Sequence, residues 1–427
     1  MKSSYKKQQL IILGNGFDIQ CGLKSTYKDF FNKRFKEVFG SVNSEVSYKD
    51  LEQQYNSIKH TISELIGKHR LHADIFSELI KRLTLDGAKN ITRWDFYLLA
   101  TNYLLHDGDT NILWRDVETD IYIIVTALLT HEYNTTNKNL RSDEDKNNTD
   151  IKKVENFIED LIWLDGESGR SEDGKYDEER AEELLKELII FEKVFAEFIK
   201  KQMTKHYYSN VVNILNDLYK NSDLHKEIAR CSVLSFNYSM DKNRVTGESW
   251  SWNNIHGIAN YKDIASPIFG IDNHDIVSLS KKDGVSQDPR TLFTKAYRVI
   301  DNDIDQIQQP IDFSGIKLIS FYGHSLGEAD YSYFETIFDD VDLYNSNVEL
   351  EFYYYIKDNP ILDKREAIRK IENLLVNYGN QLDQVHGENI MNKLILEKRI
   401  RIIPTIKLLH VKEIEERRKA VNNKTIV

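Results

Sequence analysis

A short apolar run near the start of the chain, Leu10-Ile-Ile-Leu13, stops abruptly at Gly14. A continuous apolar run of this length, bounded by turn residues, is typical of a buried parallel strand. Helical patterns follow most of the similar runs in the second half of the chain. Because strands that alternate with helices build a largely parallel sheet, we expect an α/β fold with helices on both faces of the sheet. The later predicted strands are Cys231–Phe236, Ile316–Tyr322, Val348–Ile356 and Ile400–Ile403.

The middle of the chain shows a different pattern. In residues 48–226 apolar side chains recur with the period of an amphipathic helix, as in Leu184–Ile199. We therefore predict that this stretch is a helical insertion in an α/β domain made of residues 1–47 and 227–427. A segment near residues 135–180 is rich in Asn, Asp, Lys and Glu. Such a composition buries little apolar surface, so we expect an exposed loop there.

Composition and charge exclude several classes of protein. The chain has 427 residues, and 57 basic against 68 acidic side chains give a formal net charge of −11 at pH 7. This balance disfavours nucleic-acid binding through neutralisation of phosphates. The only cysteines, Cys21 and Cys231, exclude a disulfide framework and a cysteine-only zinc site. No apolar run approaches the roughly 20 residues that span a bilayer. We expect a cytoplasmic protein with no membrane contact and no metal cofactor.

The first polar motif, Gly-Asn-Gly-Phe-Asp at residues 14–18, joins the first predicted strand to a helix. Two glycines allow a sharp turn and a close backbone approach to a ligand, and the amides at a helix N-terminus favour a phosphate. The motif lacks the third glycine of the usual dinucleotide-binding fingerprint. A plain strand-to-helix turn in which Asp18 caps the helix explains the motif equally well.

Two further polar motifs follow predicted strand ends. Asn237, in the sequence Ser-Phe-Asn-Tyr, can fix a ribose hydroxyl or a water through its amide, or can end the strand through an Asx turn. His256, in the sequence Ile-His-Gly, is suited to act as a general base near neutral pH. A surface or hydrogen-bonded histidine without a catalytic role is the alternative.

The fourth motif, Gly-His-Ser-Leu-Gly at residues 323–327, again follows a predicted strand and precedes a helix. It matches the nucleophile elbow of α/β hydrolases, and Asp358 and His410 follow Ser325 in the order of that fold's triad. A serine hydrolase is therefore one alternative, although the chain has no His-Gly-Gly oxyanion loop. An ordinary turn, with Ser325 or Asp330 as the helix cap, is the other interpretation.

Together these motifs resemble the AbiH family, which is associated with bacteriophage abortive infection. The resemblance rests on Leu-Gly-Asn-Gly-Phe-Asp, Ser-Phe-Asn-Tyr, Ile-His-Gly, Phe269-Gly-Ile-Asp272 and Gly-His-Ser-Leu-Gly-Glu-Ala-Asp, and it covers residues 10 to about 335. A Trp-x-Asp-x-Glu block at Trp114, Asp116 and Glu118 also fits the family. More distantly, the order Gly-x-Gly, Asn, His-Gly and Gly-x-Ser is similar to that of sirtuin-like NAD-binding domains.

The resemblance implies a Rossmann-like, sirtuin-like sheet that binds NAD, cleaves its nicotinamide–ribose bond and acts in antiphage defence. Lysine deacylation is not expected, because the four-cysteine zinc module of sirtuin deacylases is missing. By this resemblance Asn237 would hold the ribose and water, and His256 would be the base. Asp18 stands where sirtuin loops usually carry a small hydroxyl residue, so its carboxylate would need to point away from phosphates. The residues that would contact the nucleotide are Gly14, Asn15, Gly16, Phe17, Asp18, Gly257, Gly323, His324 and Ser325.

Partners and alternatives complete these expectations. We expect a phage-derived trigger and a homo-oligomer, with the helical region as the part that senses or assembles. A nucleotide-sensing protein that binds without turnover fits the same motifs. A metal nuclease is less favoured, since the sequence shows no compact carboxylate cluster for two metals. For Trp114, Asp116 and Glu118 we expect a helix that packs the tryptophan and exposes its charges.

Overall fold

In the computed structural model the five predicted strands and one further strand form a six-stranded sheet in which every neighbouring pair is parallel. The strands are β1 (Lys7–Leu13), β2 (Ile228–Ser235), β3 (Trp250–Asn254), β4 (Ile316–Tyr322), β5 (Glu349–Tyr354) and β6 (Ile400–Pro404). Their order across the sheet is β3-β2-β1-β4-β5-β6, which is the order of doubly wound α/β sheets. The predicted α/β fold with a parallel sheet is confirmed.

The structure describes most of the chain, with several gaps. The described residues are 7–40, 45–67, 75–105, 117–129, 150–154, 157, 178–220, 228–239, 250–259, 266–272, 288–327, 330–382 and 387–425. The predicted polar loop near residues 135–180 lies almost entirely outside them.

Helices connect and flank the strands. The described helices are α1 (Asn15–Cys21), α2 (Tyr27–Phe39), α3 (Tyr48–Gly67), α4 (Ile75–Leu83), α5 (Arg93–Leu104), α6 (Val117–Leu129), α7 (Glu178–Lys200), α8 (Lys205–Lys220), α9 (Lys295–Asp301), α10 (Ile304–Ile307), α11 (Tyr331–Asp340), α12 (Pro360–Gln381), α13 (Ile390–Leu396) and α14 (Leu409–Thr425). None of these helices combines the length and the apolar character that a membrane crossing requires. The described part of residues 48–226 contains no strand, in agreement with the predicted helical region.

Two compact units divide the chain. The sheet unit consists of Met1–Ser25, Ala196–Pro267 and Asn302–Val427. The helical unit consists of Thr26–Phe195 and Ile268–Asp301. Compared with the boundaries predicted from the sequence, α2 and α9 fall in the helical unit, whereas α8 falls in the sheet unit.

Helices cover both faces of the sheet. Leu10 and Ile12 of β1 lie in an apolar core with Phe334 of α11 and Leu374 of α12. On the opposite face the side-chain amide of Gln9 donates a hydrogen bond to the carbonyl oxygen of Leu218 in α8, 3.3 Å away. Burial of each large apolar side chain stabilises the fold by about 1.5–3 kcal/mol. Successive residues of one strand therefore pack against two helical layers.

Buried ion pairs link distant parts of the chain inside the helical unit. Arg34 of α2 pairs with Asp95 of α5, with nitrogen–oxygen distances of 2.7 and 2.9 Å. Arg298 of α9 pairs with Glu192 of α7 at 2.8 Å. The same Glu192 carboxylate accepts a hydrogen bond from the backbone N–H of Phe269. Breaking such a pair leaves an uncompensated buried charge, so each pair fixes which segments pack together.

The Trp-x-Asp-x-Glu block is described only at its last residue. Glu118 lies in the first turn of α6 and is buried, and its carboxylate pairs with the ammonium group of Lys295 at 2.8 Å. The expectation that this charge is exposed is therefore wrong, because a buried cation from α9 compensates it. Trp114 and Asp116 lie outside the described residues.

Candidate functional site

The four polar motifs meet at the carboxyl edge of the sheet, within the sheet unit. Gly14 directly follows β1, Asn237 lies two residues after β2, His256 lies two residues after β3, and Gly323 directly follows β4. Since the strands are parallel, all four loops leave the same edge. The order of the strands reverses between β1 and β4. In open α/β sheets ligands bind in the crevice at such a switch point.

The glycines of the first and fourth motifs allow two loops to touch. The N–H of Gly14 donates to the carbonyl oxygen of Tyr322 at 3.0 Å, and the N–H of Gly16 donates to that of Gly323 at 2.8 Å. A Cβ on Gly14 would lie 2.3 Å from Cα of His324. Gly323 has φ +69°, and a Cβ there would overlap the loop after β1. The close approach of the two backbones thus accounts for these glycines, and the Gly16 amide is directed at a protein carbonyl.

Asn15, which lies between Gly14 and Gly16, and Phe17, which follows Gly16, have different surroundings. Asn15 is exposed, and its side-chain oxygen accepts a hydrogen bond from the hydroxyl of Ser25. Phe17 is buried, and its ring packs edge-on against Tyr322 with centroids 5.6 Å apart. Phe17 anchors the loop in the core, whereas Asn15 offers a polar side chain to solvent.

Asp18 is buried and does not cap the helix. Helix α1 begins at Asn15 with Gly14 at the N-cap position, so the prediction of an Asp18 cap is wrong. The Asp18 carboxylate accepts a hydrogen bond of 2.7 Å from the hydroxyl of Tyr207, which lies 2.8 Å from that of Ser239. Burial raises the pKa of Asp18 to about 6, and hydrogen bonds with Ser239 and Tyr207 partly oppose this rise. The carboxylate is therefore directed into the protein.

Asn237 ties two strand ends together. Its side-chain amide donates a hydrogen bond to the carbonyl oxygen of Gly14 at 3.0 Å. Its own carbonyl oxygen accepts a hydrogen bond from the side-chain amide of Asn254 at 2.9 Å. The Asn237 side chain thus reaches across to the loop after β1, a role that an Asx turn would not give it.

His256 is buried in aromatic surroundings beside a carboxylate. The residue is 3% exposed, and Nε2 of its ring lies 3.7 Å from a carboxylate oxygen of Asp330. The ring packs edge-on against Phe236 and Tyr333, with centroids 5.6 and 5.8 Å apart. Gly257 follows with φ +87°, which turns the chain directly after the histidine.

His324 contacts the same carboxylate from the other side. Its Nε2 lies 3.3 Å from the second carboxylate oxygen of Asp330. Its Nδ1 accepts a hydrogen bond of 3.0 Å from the backbone N–H of Leu326. We call His256, Asp330 and His324 the histidine–aspartate cluster. The sequence suggests only a capping role for Asp330, although the residue closes the Gly-His-Ser-Leu-Gly-Glu-Ala-Asp motif.

The serine hydrolase triad is not assembled. Nδ1 of His410 lies 2.9 Å from a carboxylate oxygen of Asp217 in α8, and the backbone N–H of His410 donates to the other oxygen of that carboxylate. Asp358 is exposed. The alternative of a triad of Ser325, Asp358 and His410 therefore does not agree with the partner of His410. Ser325 is exposed, and its hydroxyl accepts the N–H of Gly327 at 3.4 Å. Residues 323–330 separate β4 from α11, which is longer than the tight turn of a nucleophile elbow.

The histidine–aspartate cluster is not arranged as a metal site. Among the described residues no three His, Cys, Asp or Glu side chains are arranged to hold a metal ion. Cys21 and Cys231 are both buried and form no disulfide. Burial raises the pKa of the Cys231 thiol, so this residue behaves as a packing side chain.

The cluster can move a proton. In the tautomer of His256 whose Nε2 carries the hydrogen that faces Asp330, Nδ1 is the basic nitrogen of the ring. The carboxylate then stabilises the imidazolium that forms. This arrangement suits hydrolysis through an activated water.

The chain matches the family model described as "Bacteriophage abortive infection AbiH" over residues 10–354, which is more than half of its 427 residues. The matched segment runs from β1 to the end of β5 and includes all four motifs. No curated protein and no solved structure matches the chain.

Proposed function

The chain belongs to the AbiH family and therefore has a role in bacteriophage abortive infection; we propose that it acts by hydrolysing NAD or a related nucleotide at the carboxyl edge of its sheet. The observation that carries the proposal is the placement of His256 against Asp330 at that edge. A histidine held by a carboxylate is what a hydrolytic site needs as its general base. The strand order, shared with dinucleotide-binding folds, supports a nucleotide as the substrate.

In the proposed reaction water attacks C1′ of the nicotinamide ribose while the bond from C1′ to the ring nitrogen breaks. The electron pair of that bond neutralises the pyridinium, so nicotinamide leaves uncharged. His256 takes the proton of the attacking water, and the products are nicotinamide and ADP-ribose. Because the bond breaks through an oxocarbenium-like state, the positions of ribose and water matter as much as the base.

The neighbouring loops would hold the nucleotide. Asn237 commits its side-chain nitrogen to Gly14, so its contact with a ribose hydroxyl or with the attacking water would use the side-chain oxygen. Asn15 and Ser325 are exposed polar residues of the loops after β1 and β4 and would contact the nucleotide directly. The N–H of Gly16 donates a hydrogen bond to the carbonyl oxygen of Gly323 in the loop after β4. We therefore assign Gly16 the role of joining these two loops.

Nucleotide turnover by the purified full-length chain tests the proposal. Wild type should release nicotinamide and ADP-ribose from NAD, and His256→Ala should lower the rate by about 10²–10⁴-fold, the usual contribution of a general base. His410→Ala is the matched control, because His410 also lies beside a carboxylate but has no role in the proposed reaction. Its rate should equal that of wild type.

The same three proteins, expressed in cells that are then infected with phage, allow for an activating trigger. Cellular NAD should fall after infection with wild type and His410→Ala, and should stay constant with His256→Ala. An NAD level that falls equally with wild type and His256→Ala, or with neither, overturns hydrolysis at this site.

A nucleotide-binding protein without turnover is the second candidate, and the burial of His256 favours it. Only 3% of this residue is exposed, so a ligand at the edge can bind without reaching the imidazole. Under this alternative NAD raises the unfolding temperature of the wild type by mass action, while no nicotinamide is released.

A further inference from the structure

We propose that Asp330 is a positioning residue that holds His256 for its reaction, and that His324 in turn orients Asp330. The inference rests on the proposed function, because it concerns how the base of that reaction is held. Asp330 occupies the N-cap position of α11, yet its side chain makes no capping hydrogen bond. An N-cap carboxylate normally accepts from the amides of its own helix. Here it lies against the two imidazole rings instead.

A continuous line of contacts leads from the backbone to His256. The N–H of Leu326 donates to Nδ1 of His324 at 3.0 Å. Nε2 of His324 lies 3.3 Å from one carboxylate oxygen of Asp330. The other oxygen lies 3.7 Å from Nε2 of His256. Each oxygen of the Asp330 carboxylate thus faces one imidazole ring. The orientation of the carboxylate therefore determines how close an oxygen comes to Nε2 of His256.

The backbone donor selects the tautomer of His324. Because Nδ1 accepts the N–H of Leu326, the neutral ring carries its hydrogen on Nε2, which faces Asp330. A second proton, on Nδ1, would meet the backbone N–H and break this hydrogen bond. In the neutral ring the nitrogen that carries the hydrogen is therefore the one that lies 3.3 Å from the Asp330 carboxylate.

The loop that supplies this donor is strained. Leu326 has φ +57°, a left-handed conformation that costs an ordinary residue about 1–2 kcal/mol. Such strain persists only where the surroundings hold the residue, and it is concentrated at functional sites. At Leu326 the strained backbone places the N–H on Nδ1 of His324.

The surroundings of the cluster make the carboxylate decisive. The centroid of the Phe236 ring lies 4.5 Å from the centroid of the His324 ring and 5.6 Å from that of the His256 ring. Among the contacts of the described residues, the titratable groups beside His256 are the Asp330 carboxylate and the phenols of Tyr238 and Tyr333. The Asp330 carboxylate supplies a negative charge that stabilises an imidazolium in these apolar surroundings.

A double-mutant cycle read by NMR tests the inference without any substrate. The four full-length proteins are wild type, Asp330→Asn, His324→Asn and the double variant, with histidine labelled by ¹⁵N and the His256 signal assigned by its loss in His256→Ala. Asp330→Asn should lower the titration midpoint of the His256 ring by about 1 pH unit or more, since an opposite charge within about 6 Å has gone. His324→Asn should change the midpoint when Asp330 is present and should add no change to Asp330→Asn.

Two further variants serve as controls. Asp340→Asn makes the same substitution at an exposed position of α11 and should leave the midpoint unchanged. Asp330→Glu keeps the charge and should retain most of the wild-type midpoint, so it reports on the charge if Asp330→Asn fails to fold. An unchanged midpoint in Asp330→Asn, or additive effects in the double variant, overturns the positioning role.

Kinetics on NAD give a second readout. Asp330→Asn should lower kcat by about 10²-fold, with KM nearly unchanged, because the base is affected and the ligand contacts are not. His324→Asn should lower kcat less, and the double variant should match Asp330→Asn. If wild type hydrolyses NAD neither as the purified protein nor in infected cells, the proposed function fails, whereas the NMR cycle still decides whether Asp330 and His324 position His256.

Discussion

The side-chain amide of Asn237 donates a hydrogen bond of 3.0 Å to the carbonyl oxygen of Gly14, and so joins the loop after β2 to the loop after β1. Asn237→Asp replaces this donor by a carboxylate that repels the carbonyl. We expect the free energy of unfolding to fall by about 2 kcal/mol, the cost of a buried group left without its partner, as measured by urea unfolding.

Asn359→Asp is the matched control, because the Asn359 side chain accepts hydrogen bonds from the N–H groups of Ile361 and Leu362 at the start of α12. A carboxylate accepts them equally well and favours a helix N-terminus. The control should unfold at the same urea concentration as wild type or a higher one. An Asn237→Asp variant as stable as this control would show that the Gly14 contact contributes nothing.

The backbone contact between the loops after β1 and β4 leaves no room for a side chain at Gly14. A Cβ there would lie 2.3 Å from Cα of His324 and 2.7 Å from the carbonyl oxygen of Gly323. Both of these atoms belong to the backbone, so they cannot turn away as a side chain can. Gly14→Ala should therefore destabilise the protein by at least about 1–3 kcal/mol in urea unfolding. Gly327→Ala is the control, since among the described residues its Cβ would meet the Ser325 hydroxyl alone, at 3.5 Å. Equal stability of the two variants would contradict the packing of these loops.

The sequence predicts five of the six strands. β1, β2, β4, β5 and β6 each overlap a strand predicted from the sequence. β3 (Trp250–Asn254) does not, because it carries Ser251 and Asn253, whose polar groups find partners far away in sequence. Ser251 bonds Ser232, and Asn253 bonds the carbonyl of Gln309. Local patterning cannot reveal a strand whose polar side chains are satisfied by tertiary contacts.

The candidate site is predictable as a set of motifs but not as a set of contacts. That the loops after parallel strands share one edge follows from the fold class alone. The pairing of His256 with Asp330 does not, since it joins the ends of different loops. The same reason explains why His410 lies beside Asp217 of α8 and not beside Asp358. The order of residues along the chain matched a triad, but only the packing decides which carboxylate each histidine meets.

Asp18 makes the stability of the protein depend on pH. Burial raises its pKa from 3.8 to about 6, with hydrogen bonds to Ser239 and Tyr207 opposing the rise. The folded state therefore holds this proton more tightly than the unfolded state. The resulting stability is fully present below pH 3.8 and is lost as the pH rises through about 6. Relative to Asp18→Asn, wild type should lose about 3 kcal/mol across this range.

Urea unfolding at several pH values between about 4 and 8 measures this difference. Asp18→Asn removes the titrating group, so its stability should fall less than that of wild type as the pH rises. Tyr207→Phe keeps the carboxyl but removes one hydrogen bond that lowers its pKa, so its loss of stability should extend to higher pH. Parallel curves for wild type and Asp18→Asn would rule out a carboxyl with a raised pKa.

The pair of Glu192 and Arg298 holds the Phe269 segment inside the helical unit. Arg298 donates to the Glu192 carboxylate at 2.8 Å, and that carboxylate accepts the N–H of Phe269 at 2.6 Å. Arg298→Met leaves the carboxylate buried without its cation. We expect the free energy of unfolding to fall by about 3–5 kcal/mol, because a buried charge loses its compensation.

Lys186→Met is the control, since Lys186 pairs with Glu182 at 3.9 Å on the exposed surface. Exposed pairs contribute about 0–1 kcal/mol, so in urea unfolding the control should stay close to wild type. A similar loss in both variants would mean that the buried pair holds the segment no more firmly than a surface pair does.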